Sequence, residues 1–241
     1  MKYDLHTHTI FSDGENTPEE MIEAAIKAGL DRYGISDHSY TFFDESYCMA
    51  RGRYDEYMTQ ITELRKKYSE KINVLCGIEL DYHSASLPEG FDYVIGSMHY
   101  LKCGDEYPPI DFDKDMFCRI ARDYFNNDFY AMCENYFENL ADYPNRYRID
   151  IVGHLDLITK YNEGNCLFDE DHPRFVKAWQ NTVLKLLPHV KTFEVNYGDY
   201  NRGRRSQPYL TEPMQKFVLE HGGIIINSSD SHTYKTIGKF E

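Results

Sequence analysis

The stretch Tyr3-Asp4-Leu5-His6-Thr7-His8-Thr9-Ile10-Phe11-Ser12-Asp13-Gly14 carries two imidazoles and a carboxylate close together. Residues 1–5 read as a short strand, and side chains alternate along a strand, so His6 and His8 leave its end on one face. Two imidazoles on one side can hold one ion. Asp13 adds a carboxylate, and Gly14 lets the backbone turn sharply beside it. A lone His-x-His occurs often by chance, so the pattern gains meaning only through repetition. It is repeated: Asp37-His38, Glu79, His99, His154 and Asp230-Ser231-His232 each follow a short apolar run. Imidazole nitrogens with carboxylate oxygens suit Zn, Mn or Fe, and the lack of thiolates among them disfavours a closed structural zinc site. The set is too large for one ion; two or three ions sharing a bridging carboxylate is the natural reading.

The elements that must position these residues alternate. After the opening strand, Thr17-Pro18-Glu19-Glu20 starts a helix with a side-chain cap and a proline at its first position. Further strands are expected at 33–36, 72–78, 92–98, 149–153, 192–196 and 223–228. Helices are expected at 53–68, 113–142, 175–187 and 211–221, the second broken or kinked at Asn126-Asn127-Asp128. Only about a dozen residues join the third and fourth strands, too few for a full crossover helix. Six of the seven strands deliver His, Asp or Glu at their C-terminal ends. A parallel β/α barrel converges those ends on one site, and no linker or repeat divides residues 1–241, so one domain is expected. After the seventh strand, residues 233–241 hold no further helix to cover it, which leaves open a naturally short chain, a truncated one, or a partner, including a second copy in a homo-oligomer, covering that face.

The net charge of −14 argues against nucleic-acid backbone and anionic lipid as partners. Aromatics make up 15% of the chain, mostly 21 Tyr and 14 Phe, which bury area while keeping a polar tip. Cys48, Cys76, Cys103, Cys118, Cys133 and Cys166 are scattered without a C-x-x-C pair, so reduced thiols and a cytoplasmic location are expected. The N-terminal residues do not read as a signal peptide, and no run approaches the ~18 apolar residues of a membrane span.

His6-Thr7-His8, Ser12-Asp13-Gly14, Ser36-Asp37-His38, Gly77-Ile78-Glu79, Gly96-Ser97-Met98-His99, Gly153-His154-Leu155-Asp156 and Ser229-Asp230-Ser231-His232 resemble, in order, the motifs of the PHP (polymerase and histidinol phosphatase) superfamily. The length and Gly-His-Leu-Asp-Leu-Ile look most like its histidinol-phosphatase branch. The resemblance implies an α/β fold, a distorted (β/α)7 TIM-like barrel, with a trinuclear metal site at the C-terminal ends of its strands. It also implies that His6, His8, Glu79 and Asp230 hold one ion, that Glu79 bridges to a second held with His99 and His154, and that Asp13, His38 and His232 hold the third. Asp37 and Asp156 sit beside ligands, placed either to orient an imidazole or to cap local backbone.

The chemistry implied is attack on phosphorus by a hydroxide held between ions that also neutralise the phosphoryl oxygens, with Asp13, Glu79 and Asp230 at the reacting centre. Arg202, Arg204 and Arg205 follow the sixth strand, where the family places a phosphate-binding arginine; the bland alternative is a solvated basic loop. Lys160 stands where relatives often carry a second arginine, and His83 lies near the expected mouth. Asp13, Asp230, Asp81 and His83 are open as proton donors to the leaving alcohol. Hydrolysis of L-histidinol phosphate is the leading expectation, its protonated amine suiting an acidic mouth at Asp44, Glu45, Asp81 or Asp199. A nucleotide or other small phosphoester is the alternative substrate, and a non-catalytic metal-binding scaffold the alternative class.

Overall fold

A computed structural model describes residues 1–84 and 89–240. The strands β1 (Tyr3–Asp4), β2 (Arg32–Ile35), β3 (Asn73–Asp81), β4 (Tyr93–Ser97), β5 (Ile151–Val152), β6 (Thr192–Asn196) and β7 (Ile224–Ser228) form one seven-stranded sheet in sequence order. Every neighbouring pair is parallel. Helices α1 (Pro18–Lys27), α2 (Tyr54–Lys67), α3 (Lys114–Phe125), α4 (Phe129–Ala141), α5 (Tyr143–Arg146), α6 (Pro173–Leu186), α7 (Gly198–Asn201) and α8 (Glu212–Glu220) lie between them. The sheet curls into a nearly closed α/β barrel. Across the seam, β1 and β7 share no ladder; closure rests on a bridge between Thr7 and Ser231, with His8 N–H donating to Ser231 O at 2.9 Å. The barrel is therefore fastened at the C-terminal rim of its strands.

Local chemistry explains most boundaries. Thr17 Oγ1 accepts from Glu20 N–H while Glu20 Oε2 accepts from Thr17 N–H, a reciprocal cap on α1 of the kind worth about 1 kcal/mol. The expected break in the long helical segment is a full one: Asn126 and Asn127 both adopt positive φ, and Asp128 then caps α4 at Ala131 N–H. β3 runs beyond its apolar segment, so Glu79 lies within the strand, opposite Ile95, rather than after its end. β1 and β5 are shorter than expected, because the ladder pairs only two residues of each. Among the described residues no helix joins β3 to β4.

The tyrosines account for much of the interior. Tyr57 Oη lies 2.9 Å from both Ile35 O and Gly77 O, and Tyr143 Oη reaches Leu80 O and Ser97 O, so their hydroxyls serve strand carbonyls as their rings fill the core. Tyr93 occupies the barrel interior only because Gly34 and Gly77 lack side chains; a Cβ there would fall 2.1 and 2.2 Å from its ring and hydroxyl atoms. The residues after β7 form turns that return to the barrel: Ile237 is buried and Gly238 N–H donates to Asp4 Oδ2 at 3.0 Å. Ile224 at the start of β7 is 54% exposed, whereas the outward-facing Ile225 packs against the core beneath the helices. All six cysteines are free, and no described helix is long and apolar enough to cross a membrane.

Candidate active site

His6 and His8 follow β1 in extended backbone, and the intervening Thr7 turns the other way, its hydroxyl donating to Gly34 O at 2.9 Å. Both imidazoles point at one carboxylate. Glu79 Oε2 lies 3.2 Å from His6 Nε2, 3.5 Å from His8 Nε2 and 2.8 Å from His38 Nδ1. Its other oxygen lies 3.0 Å from His154 Nε2 and 3.5 Å from His99 Nε2. Asp230 Oδ1 approaches His8 Nε2 at 3.2 Å and His6 Nε2 at 3.8 Å. Asp13 faces His232 Nε2 at 3.2 Å and His38 Nε2 at 3.7 Å. Residues from both ends of the chain thus meet around Glu79.

Three groups have donor atoms mutually close enough for an ion: His6-His8-Glu79, His38-Glu79-His99, and His8-Asp13-His38-His232. The grouping differs in detail from the sequence expectation, because His38 reaches Glu79 as well as Asp13 and His8 belongs to two groups. The donor set fits divalent cations. His6 Nε2, both ring nitrogens of His8, Glu79 Oε2 and His154 Nδ1 are buried without a hydrogen-bond partner, an expensive arrangement unless something else binds them.

The electrostatics agree. Burial lowers His8, with the neighbouring His232 and His38 adding to the effect, so its pKa falls to about 3 and the ring stays neutral, with one nitrogen lone pair available. Burial would raise Glu79, yet His6, His38 and His99 hold it well below the ordinary carboxylate range. Asp230 is likewise depressed, its burial outweighed by His6, His8 and Arg202. Burial would lower His6, but Glu194, Glu79 and Asp230 raise it well above its usual value. A cluster that holds protons this way in the absence of cations can exchange them for cations.

Glu194 is the functional residue that sequence reasoning missed. It projects from β6 into the interior, fully buried, and accepts from His6 Nδ1 at 2.9 Å, His154 N–H at 2.7 Å, Ser228 Oγ at 2.5 Å and Asn196 Nδ2 at 2.9 Å. A proton held on Nδ1 leaves Nε2 of His6 as the lone pair facing Glu79. The available signal was an acid inside an otherwise apolar strand. Asp4 was missed for the same reason; buried in β1, it accepts from Ser229 and Gly238 and anchors the segment bearing Asp230. Asp81 takes an orienting place at His99, accepting from its N–H at 2.8 Å and lying 3.3 Å from its Nδ1.

Asp37 and Asp156 instead cap backbone. Asp37 accepts from the amides and hydroxyls of Thr9 and Ser12, fixing the loop that carries Asp13. Asp156 accepts from Leu210 N–H, whose φ is positive. Gly14 is required for space rather than for left-handed backbone, since a Cβ would lie 2.6 Å from the His8 carbonyl group.

The cluster floors a cavity of about 630 Å³. Arg202, Arg204 and Lys160 line it. Arg202 donates to Asp230 O at 2.8 Å, holding that ligand in left-handed backbone, and its Nη2 also contacts His232 Nδ1. Lys160 Nζ stands 3.5 Å from Asp199 Oδ2. Arg205 is turned away, donating to Thr159 O at 2.8 Å with its guanidinium over Tyr209. His83 packs between Tyr82 and Tyr107 and does not line the cavity.

The PHP domain family matches residues 4–197. A Deinococcus radiodurans protein named "Probable histidinol-phosphatase" is 28% identical over 257 residues, covering 98% of this chain and 88% of its own. Among solved structures, a Listeria monocytogenes protein to which a histidinol-phosphatase role is ascribed superposes with TM-score 0.84 at 19% identity, covering 99% of this chain and 98% of its own. The histidinol phosphate phosphatase of Lactococcus lactis, solved with Zn, L-histidinol and phosphate, gives TM-score 0.71 at 20% identity, with 97% and 87% covered.

Proposed function

The chain belongs to the PHP domain family, and from that premise we propose that it is a metal-dependent phosphomonoesterase converting L-histidinol phosphate to L-histidinol and inorganic phosphate. The observation that carries the reading is a cluster of six imidazoles and three carboxylates with Glu79 at its centre, approached by five of the imidazoles, beneath a cavity that also presents Arg202 and Lys160. We read residues 1–241 as one catalytic unit, because its ligands come from both ends of the sequence.

His6, His8 and Glu79 would hold one ion with Asp230 beside them, Glu79 and His99 a second with His154 and His38 within reach, and Asp13, His38 and His232 with His8 a third, drawn from Zn, Mn or Fe. Bound there, divalent ions supply Lewis acidity for the phosphoryl oxygens and activate water for attack on phosphorus. The protein contributes orientation and charge. Glu194 and Asp81 fix the rings of His6 and His99, and Arg202 steadies Asp230 while offering its guanidinium to a phosphate. Lys160 adds a point charge beside it, and Arg204 stands at the exposed rim. Arg205 and His83 keep structural contacts. Asp13 and Asp230 are both held below the ordinary carboxylate range by imidazoles, so at neutral pH they act as anions.

Steady-state phosphate release from histidinol phosphate beside a nucleoside monophosphate panel, with Mn-, Zn- or Fe-loaded protein, tests this. The expected result is a kcat/KM for histidinol phosphate at least about a hundredfold above the panel, roughly 2.7 kcal/mol of discrimination. A flat profile moves the substrate elsewhere among small phosphoesters. A metal-loaded protein inert toward all of them overturns the enzymatic reading.

A further inference from the structure

The cavity has an acid that the metal chemistry does not use. Among its carboxylates, Asp13 and Asp230 face imidazoles, Asp111 lies 3.8 Å from Lys160, and Asp199 lies within 3.6 Å of Lys160, Arg202 and Arg204. Of the other sequence candidates for an amine site, Asp81 serves His99, and Glu45 accepts from the Tyr40 hydroxyl outside the cavity lining. Asp44 lines the same cavity, yet no Lys, Arg or His among the described residues pairs with it. Glu15 also lacks a cation, but it is exposed and its carboxylate makes no hydrogen bond. Asp44 is fixed: Oδ1 accepts from the Ser46 amide at 3.0 Å and hydroxyl at 2.6 Å, and Oδ2 accepts from the Tyr100 hydroxyl at 2.8 Å. These donors are neutral, so they position the charge without cancelling it. Burial would raise the Asp44 pKa, but the Ser46 and Tyr100 contacts outweigh it and keep the group ionised at neutral pH.

The Asp44 loop is also built against the metal ligands. Tyr47 meets His38 ring to ring at 4.8 Å, Tyr100 directly follows His99, and Phe43 packs on Tyr100 at 4.8 Å and stacks on Tyr107 at 4.2 Å. Asp44 thus belongs to the β2 and β4 side of the mouth, whereas Arg202 and Arg204 follow β6. We infer that Asp44 is the recognition site for a protonated amine on the substrate, selecting phosphomonoesters with a cationic organic portion over neutral ones. The inference rests on the phosphomonoesterase reading and narrows its substrate class. An unpaired, preorganised carboxylate at the cavity wall attracts an ammonium and stays without a counter-charge when the amine is absent.

The test compares the metal-loaded wild type with Asp44→Asn and Tyr100→Phe on two substrate pairs. One pair is histidinol phosphate and 3-(imidazol-4-yl)propyl phosphate; the other is ethanolamine phosphate and ethyl phosphate. The readout is the ratio of kcat/KM within each pair. Wild type is expected to favour the amine by about tenfold or more, mainly through KM; Asp44→Asn should bring the ratio close to one, with Tyr100→Phe between. Thermal melting confirms that each variant is folded. A wild-type ratio near one in both pairs, or a ratio unchanged in folded Asp44→Asn, overturns the inference. If histidinol phosphate is a poor substrate but the ethanolamine pair shows the preference and loses it in Asp44→Asn, the histidinol reading falls and the amine site stands.

Discussion

Substituting Glu194 by Gln changes one buried charge while keeping the shape of the side chain. Wild-type Glu194 accepts from the His6 ring at 2.9 Å, and His6 Nε2 then faces Glu79 at 3.2 Å. A carboxamide has one acceptor oxygen, already claimed by His154 N–H and Asn196 Nδ2 in this arrangement, and its NH2 group would turn toward His6 Nδ1 or Ser228. Facing a donor, the imidazole shifts its proton to Nε2 and loses the lone pair aimed at the metal centre. Loss of such an orienting partner costs metal affinity or activity by about 10- to 100-fold, roughly 1.4–2.7 kcal/mol. Stability falls as well, because a hydrogen bond to a charged group contributes about 1.5–3 kcal/mol. Metal content after dialysis against buffered Zn or Mn, read beside kcat/KM and a melting curve, separates the two effects. Raising free metal should restore most of the activity of folded Glu194→Gln, which a merely loosened barrel would not show. Wild-type metal affinity and kcat/KM within about threefold would refute the tautomer argument.

Three further outcomes follow from the same contacts. Chelation of the purified protein should abolish phosphate release and lower the melting temperature, both restored by added divalent ion, since ligands that bind only the folded state stabilise it; activity persisting without metal would contradict the site assignment. Arg202→Ala should raise KM for the phosphoester by about 10-fold or more, whereas Arg205→Ala, which loses its bonds to Thr159, should leave KM alone and cost about 1 kcal/mol in a denaturant melt; equal kinetic effects would erase the distinction. Asp4→Asn replaces one of the two acceptor oxygens that serve Ser229 and Gly238 with a donor, and denaturant titration should show a loss of about 1–3 kcal/mol; an unchanged midpoint would mean that the β1–β7 seam does not depend on it.

What could be read in the sequence divides along a physical line. Ligands at strand ends were legible because a short apolar run that stops at His or Asp marks both the strand and its exit, as at Ile35 and His38 or Ile151 and His154. Glu79 was legible for the same reason, although β3 runs on past it; Asp4 and Glu194, inside their expected strands, were not. Glu194 in Thr-Phe-Glu-Val-Asn could equally have faced solvent, and only curling of the sheet turns that face of β6 onto His6 from β1. The Arg-rich loop posed the opposite difficulty, with three guanidiniums of one type close together. The turn that follows α7, with Gly203 at positive φ, separates them: Arg202 stays at the end of the helix and reaches Asp230, while Arg205 goes to Thr159. Asp44 combines both problems, since its neighbours in sequence identify it only as an acid in a loop. Its significance comes from absence of a counter-charge, and that is a property of all the side chains around the cavity together. Motif reading therefore locates the chemistry, whereas the discrimination between substrates depends on packing that brings distant loops to one rim.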